Sequence, residues 1–172
     1  CGTTGLRPCA IFDLNATIAS PVSLTPPEIV VEQPPGTDLR RGATVDFDGA
    51  LVGNITPARM VAIKNTGTKP LLILGMTITG ADALDFKVTA QPAKTVSGPC
   101  GTTFTIHFTP GALGARKAIL EIASNDPDES PFELTLVGKG LTPAQVAQGA
   151  YLKGANADAG DDFGGAVAVS GG

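Results

Sequence analysis

Two runs of alternating apolar residues flank the stretch Ser124-Asn125-Asp126-Pro127-Asp128-Glu129-Ser130-Pro131. Before it stands Ala118-Ile119-Leu120-Glu121-Ile122-Ala123, and after it Phe132-Glu133-Leu134-Thr135-Leu136-Val137-Gly138-Lys139-Gly140. A period of two sends successive side chains to opposite faces, so each run reads as a half-buried strand. Asn125 and Asp126 turn the backbone through short side-chain hydrogen bonds, and Pro127 fixes φ. The chain reverses here. A chain built from such units must fold as layered β-structure.

The same pattern recurs upstream. Ile29-Val30-Val31 is a candidate first strand, closed by Pro34-Pro35-Gly36. Thr44 to Asp48, Met60 to Lys64, Leu71 to Thr79, Phe86 to Thr89 and Phe104 to Phe108 follow. Within Leu71 to Thr79, Gly75 interrupts the alternation as a bulge does. Turn signals at a spacing of about 8–12 residues predict an antiparallel sandwich of 7–8 strands over residues 28–140. The expected inward set is Val45, Phe47, Val61, Ile63, Leu71, Ile73, Ile78, Phe86, Phe104, Ile106, Phe108, Leu120, Ile122, Phe132, Leu134 and Leu136. Leu72 and Leu74 fall on the other face of their strand, either toward a neighbouring domain or as scattered exposed apolars.

Composition narrows the function classes. With 42% hydrophobic residues among 172, wholesale disorder is excluded. Gly (22) and Pro (14) are abundant and charged residues make up 16%, a mixture suited to short strands and tight turns. A net charge of −4 argues against nucleic acid, since Arg40-Arg41 is the nearest thing to a basic cluster. No apolar run approaches the ~20 residues of a membrane-spanning helix.

The chain starts at Cys1 with no signal-peptide pattern before it, and it stops at Gly172 as a strand begins. Both ends therefore read as internal to a longer chain, with a lipid-anchored Cys1 as the alternative. Three cysteines are an odd count. Cys1 and Cys9 can pair across a short loop, which leaves Cys100 alone on a turn. The spacing holds no Cys-x-x-Cys zinc pattern.

Several ordered motifs resemble a known family. Val45-Asp46-Phe47 and Met60-Val61-Ala62-Ile63-Lys64-Asn65-Thr66-Gly67 resemble the early strands of Hydin-type immunoglobulin-like repeats. Bacterial proteins described as choice-of-anchor D domain-containing carry such repeats. Leu84-Asp85-Phe86, Thr103 to Pro110, Leu120 to Pro127 and the closing Gly138-Lys139-Gly140 match its later motifs in order. Cys100 departs from the small polar residues usual at its position. The resemblance implies an immunoglobulin-like β-sandwich without catalytic residues. A shorter resemblance covers residues 150–172: Ala150-Tyr151-Leu152-Lys153, Asp158 to Gly165 and Val167 to Gly171 look like the start of an FG-GAP repeat. That implies the first part of an integrin-like propeller blade, which cannot bury its face without further blades. The expected organisation is a linker at 1–27, the sandwich at 28–140, a linker at 141–149 and the partial repeat at 150–172. The apolar set of that tail (Tyr151, Leu152, Phe163, Val167, Val169) is too thin for a core of its own.

The candidate sites are few. His107, the single histidine, is expected on the outward face of its strand, with no motif placing a nucleophile beside it. Asn156, Asp158, Asp161 and Asp162 offer oxygen ligands of the kind Ca²⁺ takes, but lack the Asp-x-Asp-x-Asp-Gly order and the closing acidic ligand. A solvated turn accounts for them without metal. Asp126, Asp128 and Glu129 form a second acidic cluster, which turn formation explains. The expectation is a non-catalytic module with no catalytic, cofactor or metal site, in an extracellular or cell-surface bacterial repeat protein. Its partners would be neighbouring repeats and an unidentified protein or surface glycan. A ciliary or cytoskeletal scaffold, and an accessory domain of a secreted hydrolase, are the alternatives.

Overall fold

The structure, a computed structural model, describes the backbone of residues 23–154 and the side chains of residues 23–148. The strands are β1 (Ile29–Glu32), β2 (Asp38–Leu39), β3 (Thr44–Leu51), β4 (Arg59–Asn65) and β5 (Leu71–Thr79). A 3₁₀ turn at Ala83–Asp85 leads to β6 (Phe86–Ala90), β7 (Thr95–Val96), β8 (Gly101–Phe108), β9 (Gly114–Ser124) and β10 (Phe132–Leu141). One helix, α1 (Pro143–Gly154), follows.

The strands form two five-stranded sheets, in the orders β2-β1-β4-β8-β6 and β3-β10-β9-β5-β7. Consecutive strands β3 and β4 lie in different sheets, as do β5 and β6, and β8 and β9. The sheets pack face to face as an immunoglobulin-like β-sandwich. Every strand of four or more residues overlaps a stretch expected as a strand. The two-residue strands β2 and β7 do not, because two residues carry no period. One ladder also departs from the expected antiparallel arrangement: β3 runs parallel to β10, with Val45 beside Leu136. Parallel neighbours need a long connection, and nearly the whole sandwich lies between these two strands.

Between the sheets lies the core. All of the expected inward residues are buried except Ile78, which is half-buried. Ile29, Val31, Val96 and Ala118 join them. The bulge expected at Gly75 is present as a register shift between Ile73 and Gly75 against β9. It flips the phase, so Met76 and Ile78 pack on the core while Leu74 is 66% exposed. Phe47, Phe86 and Phe108 gather at one end, with Phe86 and Phe108 stacked at 4.8 Å between ring centroids. Nearby, the Arg116 guanidinium grips Asp82 and the buried Asp85 at 2.6 Å each, tying β9 to the β5–β6 connection.

Strand direction divides the surface into two poles. Strands β3, β5, β8 and β10 run toward one pole, where the loops to β4, β6 and β9 and the start of α1 lie together. Gly53 N–H donates to Pro110 O at 2.9 Å, Val52 N–H to Leu141 O at 3.2 Å and Thr109 N–H to Asp85 O at 2.7 Å. At the opposite pole stand residues 23–28, the β4–β5 turn, the β7–β8 turn and the β9–β10 turn. The chain thus enters the sandwich at one pole and leaves it at the other.

Helix α1 begins inside the stretch expected to be a linker at 141–149. Pro143 occupies the first helical position, where its missing N–H costs nothing. Thr142 and Gln145 cap the helix reciprocally. Thr142 N–H donates to Gln145 Oε1 at 2.9 Å, and Gln145 N–H donates to Thr142 Oγ1 at 3.3 Å.

Candidate functional site

The densest set of functional side chains lies at the pole where the chain enters. Asp126 is 4% exposed at the centre of the β9–β10 turn. Its Oδ1 accepts the N–H groups of Asp128 and Glu129 at 3.1 Å each, the local turn bonds that its residue type predicts. Its Oδ2 accepts the Ile29 N–H at 2.7 Å, at the start of a strand in the other sheet. Burial opposes the charge on Asp126, and the hydrogen bonds from Ile29, Asp128 and Glu129 outweigh it, so its pKa lies below the usual carboxylate value.

Asn125 and Asn65 complete this pole. Asn125 Oδ1 accepts the Leu72 N–H at 2.7 Å, and its amide donates to Pro70 O at 3.2 Å. Asn65, 1% exposed, makes four bonds. Its Nδ2 donates to Lys69 O at 2.8 Å and Val96 O at 2.9 Å. Its Oδ1 accepts from Glu28 N–H at 3.2 Å and Gly67 N–H at 3.0 Å. Thr25 and Thr68 exchange bonds, each backbone N–H donating to the other hydroxyl, at 2.7 and 3.0 Å. Sequence reasoning assigned local turn roles to Asn125 and Asp126. It missed the remote partners, for which a single sequence carries no signal.

Glu28, Asp126 and Asp128 bring one carboxylate oxygen each within 4.8 Å of one another. Glu28 and Asp128 border a shallow cleft of about 290 Å³ lined also by Thr25, Pro26, Thr66, Gly67 and Pro127. Burial and the neighbouring Asp126, Asp128 and Glu129 charges push the Glu28 pKa up. Burial likewise raises Glu129, with Asp126 and Asp128 adding to it and Arg41 opposing. Both Asp126 oxygens accept backbone N–H groups, so this carboxylate locks the turn against the first strand. The calcium candidates Asn156, Asp158, Asp161 and Asp162 lie outside the described residues.

His107 is half-buried on the outer face of β8. Its Nδ1–H donates to the Thr56 carbonyl at 2.8 Å, and Thr56 Oγ1 accepts the Phe108 N–H at 3.1 Å. The imidazole therefore pins the β3–β4 loop, and its partner is a carbonyl, not a nucleophile. Cys100 is disulfide-bonded, not alone on its turn as the sequence reading had it; Cys1 and Cys9 lie outside the described residues. An odd cysteine count leaves several pairings open, and the spacing did not select this one. Among the described residues no helix is long and apolar enough to cross a membrane.

No family model matches the chain. A search of curated proteins also finds no match. Several solved structures are similar at low sequence identity. A protein of unknown function from Porphyromonas gingivalis W83 aligns at TM-score 0.46 and 18% identity, over 66% of this chain and 66% of that one. An ASH/PapD-like domain of human CEP192 aligns at TM-score 0.43 and 16% identity, over 77% of this chain and 99% of that one. The CARDB domain of PF1109 from Pyrococcus furiosus aligns at TM-score 0.40 and 14% identity, over 67% of this chain and 95% of that one.

Proposed function

We propose that residues 28–140 are a Hydin-type immunoglobulin-like repeat serving as a non-catalytic spacer and interaction module. The parent would be a bacterial extracellular or cell-surface repeat protein used in adhesion or scaffolding, and residues 150–172 would start an FG-GAP propeller. The observation that carries this reading is the separation of the two chain crossings. The chain enters at the pole of Glu28 and Asp126 and leaves at the pole of Leu141. A sandwich threaded this way extends a chain by its own length and suits head-to-tail repetition.

Cys100 adds to it. Disulfides persist in oxidising compartments and are rare in the cytosol, which favours the extracellular reading over a ciliary or cytoskeletal scaffold. At the acidic pole the side chains of Asn65, Asn125 and Asp126 all bind backbone, as parts of a frame do. The partners would be neighbouring repeats and a protein or surface glycan.

The test is topological. An antibody raised against residues 28–140 should label intact, unpermeabilised cells of the source organism. Its epitope should vanish when those cells are treated with external protease. Labelling only after permeabilisation would rule the reading out.

A further inference from the structure

Asp48-Gly49 is the sequence's one Asp-Gly pair, and no Asn-Gly pair occurs. Such a pair carries a built-in reaction. The main-chain nitrogen after an aspartate can attack its side-chain carboxyl and close a five-membered ring, and glycine lacks the Cβ that hinders this approach. The fold leaves the pair open to it. Asp48 and Gly49 are both exposed, the Asp48 side chain by 79%. Asp48 sits at φ 58°, the one non-glycine residue with positive φ among the described residues. Strand β3 lies at the edge of its sheet, so one side of its backbone pairs with no other strand among the described residues. Val52 N–H donates to Leu141 O, and alternation along the strand then turns the Gly49 N–H away from β10.

The pair also lies at the irregular point of its ladder. Asp46 stands beside Val137 and Gly49 beside Lys139, so Phe47 and Asp48 together face Gly138 as a bulge. A methyl on Gly49 would lie 2.6 Å from Leu141 Cδ1, so packing against β10 favours glycine here. Two contacts restrain Asp48. Its N–H donates to Asp46 Oδ1 at 2.8 Å, and its Oδ2 accepts from Arg59 Nη2 at 2.8 Å. A carboxylate held in an ion pair is a poorer electrophile than a free carboxyl. Other aspartates are worse placed. Asp126 is buried with both oxygens bonded, and the Pro127 nitrogen after it has no proton to lose. Ala83 and Phe86 follow Asp82 and Asp85, and their side chains crowd the approach.

We propose that Asp48-Gly49 is a site of spontaneous covalent modification, where isoaspartate forms at a rate restrained by Arg59. The Gly49 nitrogen bonds to Asp48 Cγ, the bond from Cγ to the carboxyl hydroxyl breaks, and that hydroxyl leaves with the amide proton as water. Water then adds to the ring. Opening at the Asp48 main-chain carbonyl leaves the chain running through Cβ, with no net change in atoms and no cofactor or oxidant. The added main-chain atom falls between the two halves of the β3–β10 ladder. It shifts Ala50 and Leu51 against Gly140 and Leu141, in the strand that leads to α1. The product belongs to the substrate class of protein isoaspartate methyltransferases.

Ageing the full 172-residue chain in warm, weakly acidic buffer tests this. Peptide mapping locates isoaspartate, and methyl transfer from labelled S-adenosylmethionine by an isoaspartate methyltransferase counts it. Position 48 should be the main site, and Asp48→Gly, which suits the positive φ, should remove most of the label. Arg59→Ala should convert about two- to fivefold faster, the factor that a surface ion pair is worth. In the converted fraction amide exchange at residues 50–52 should quicken; unchanged exchange there would overturn the register shift. No conversion at Asp48 in the folded chain, over a time in which a free peptide of residues 44–53 converts, would overturn the proposal. Label that persists in Asp48→Gly would do the same. Equal rates in Arg59→Ala and the unmodified chain would overturn the restraint assigned to Arg59. If that variant does not fold, the comparison of the folded chain with the free peptide decides.

Discussion

Asp126 accepts the backbone N–H of Ile29 at 2.7 Å across 97 positions of sequence, joining a turn of one sheet to the first strand of the other. The same carboxylate holds its own turn through Asp128 and Glu129. Removing it deprives three backbone donors of their acceptor, the Ile29 N–H at a buried site and the other two at partly buried ones. Asp126→Ala is expected to cost about 3 kcal/mol, since hydrogen bonds to charged groups contribute more than neutral ones. Asp126→Asn, which keeps one acceptor oxygen, should cost less. Urea unfolding of residues 28–140 measures both; equal effects would show that charge and bond count are irrelevant here.

The pH dependence has two opposed parts. Asp126 has a folded pKa below its unfolded value, and so does Glu32, where bonds from Lys64 and the Gly36 N–H outweigh burial. A depressed carboxylate contributes stability that is present above the unfolded value, about 4, and lost as pH falls through the folded value. Glu28 and Glu129 are raised, so their charged forms strain the fold at neutral pH, and protonation relieves this as pH falls toward their folded values. Stability should therefore rise slightly from neutral into weakly acidic solution and drop below pH of about 4. Glu28→Gln should shrink the rise to the part that Glu129 contributes, and Asp126→Asn should make the drop shallower, leaving the part that Glu32 contributes. Thermal melts from pH 7 to 2 would show both limbs; an unchanged acid limb in Asp126→Asn would contradict this assignment.

How much of this was legible depends on how local each cause is. Alternation at Thr103 to Phe108 and Ala118 to Ala123 reports which face is buried, so the core set and the longer strands could be read directly. It does not report which strand lies beside which, and so the parallel β3–β10 pair was missed. Asp126 and Asn125 announced a turn because short polar side chains bond nearby backbone. Their bonds to Ile29, Leu72 and Pro70 depend on what the fold brings close, which no local pattern encodes. The cap of α1 was different. Thr142-Pro143-Ala144-Gln145 is a capping box with Pro at the first helical position, a local signal that the expected linker at 141–149 passed over.

Asn65 is the second lock of the acidic pole, and it works by orientation. Its amide donates to two carbonyls while its oxygen accepts two N–H groups. Asn65→Asp would set a carboxylate oxygen against the carbonyls of Lys69 and Val96 in a buried site. The expected loss is about 3–5 kcal/mol, from two unmade bonds and a charge left facing oxygen. Asn65→Ala should be milder. Chemical denaturation at pH 7 compares them; a milder aspartate variant would mean the site relaxes around the charge.

The closing motif Gly138-Lys139-Gly140 shows why small residues are needed at the pole where the chain leaves. A methyl placed on Gly138 would lie 2.5 Å from Phe108 Cε1 and 2.6 Å from its Cζ. Phe108 cannot swing away freely, because it stacks on Phe86 at 4.8 Å and packs beside Phe47 at 6.0 Å. A methyl on Gly140 would instead strike the Ala112 carbonyl oxygen, a backbone atom of the β8–β9 loop. A ring can shift by tenths of an ångström, whereas moving that carbonyl displaces the loop that carries Leu113. Gly138→Ala is therefore expected to cost about 1–3 kcal/mol as overpacking. Gly140→Ala should cost at least as much and should also loosen the β8–β9 loop. Amide exchange at residues 111–114 separates the two: faster exchange in Gly140→Ala with little change in Gly138→Ala is the expected result. The reverse order would mean that the loop yields more easily than the aromatic cluster.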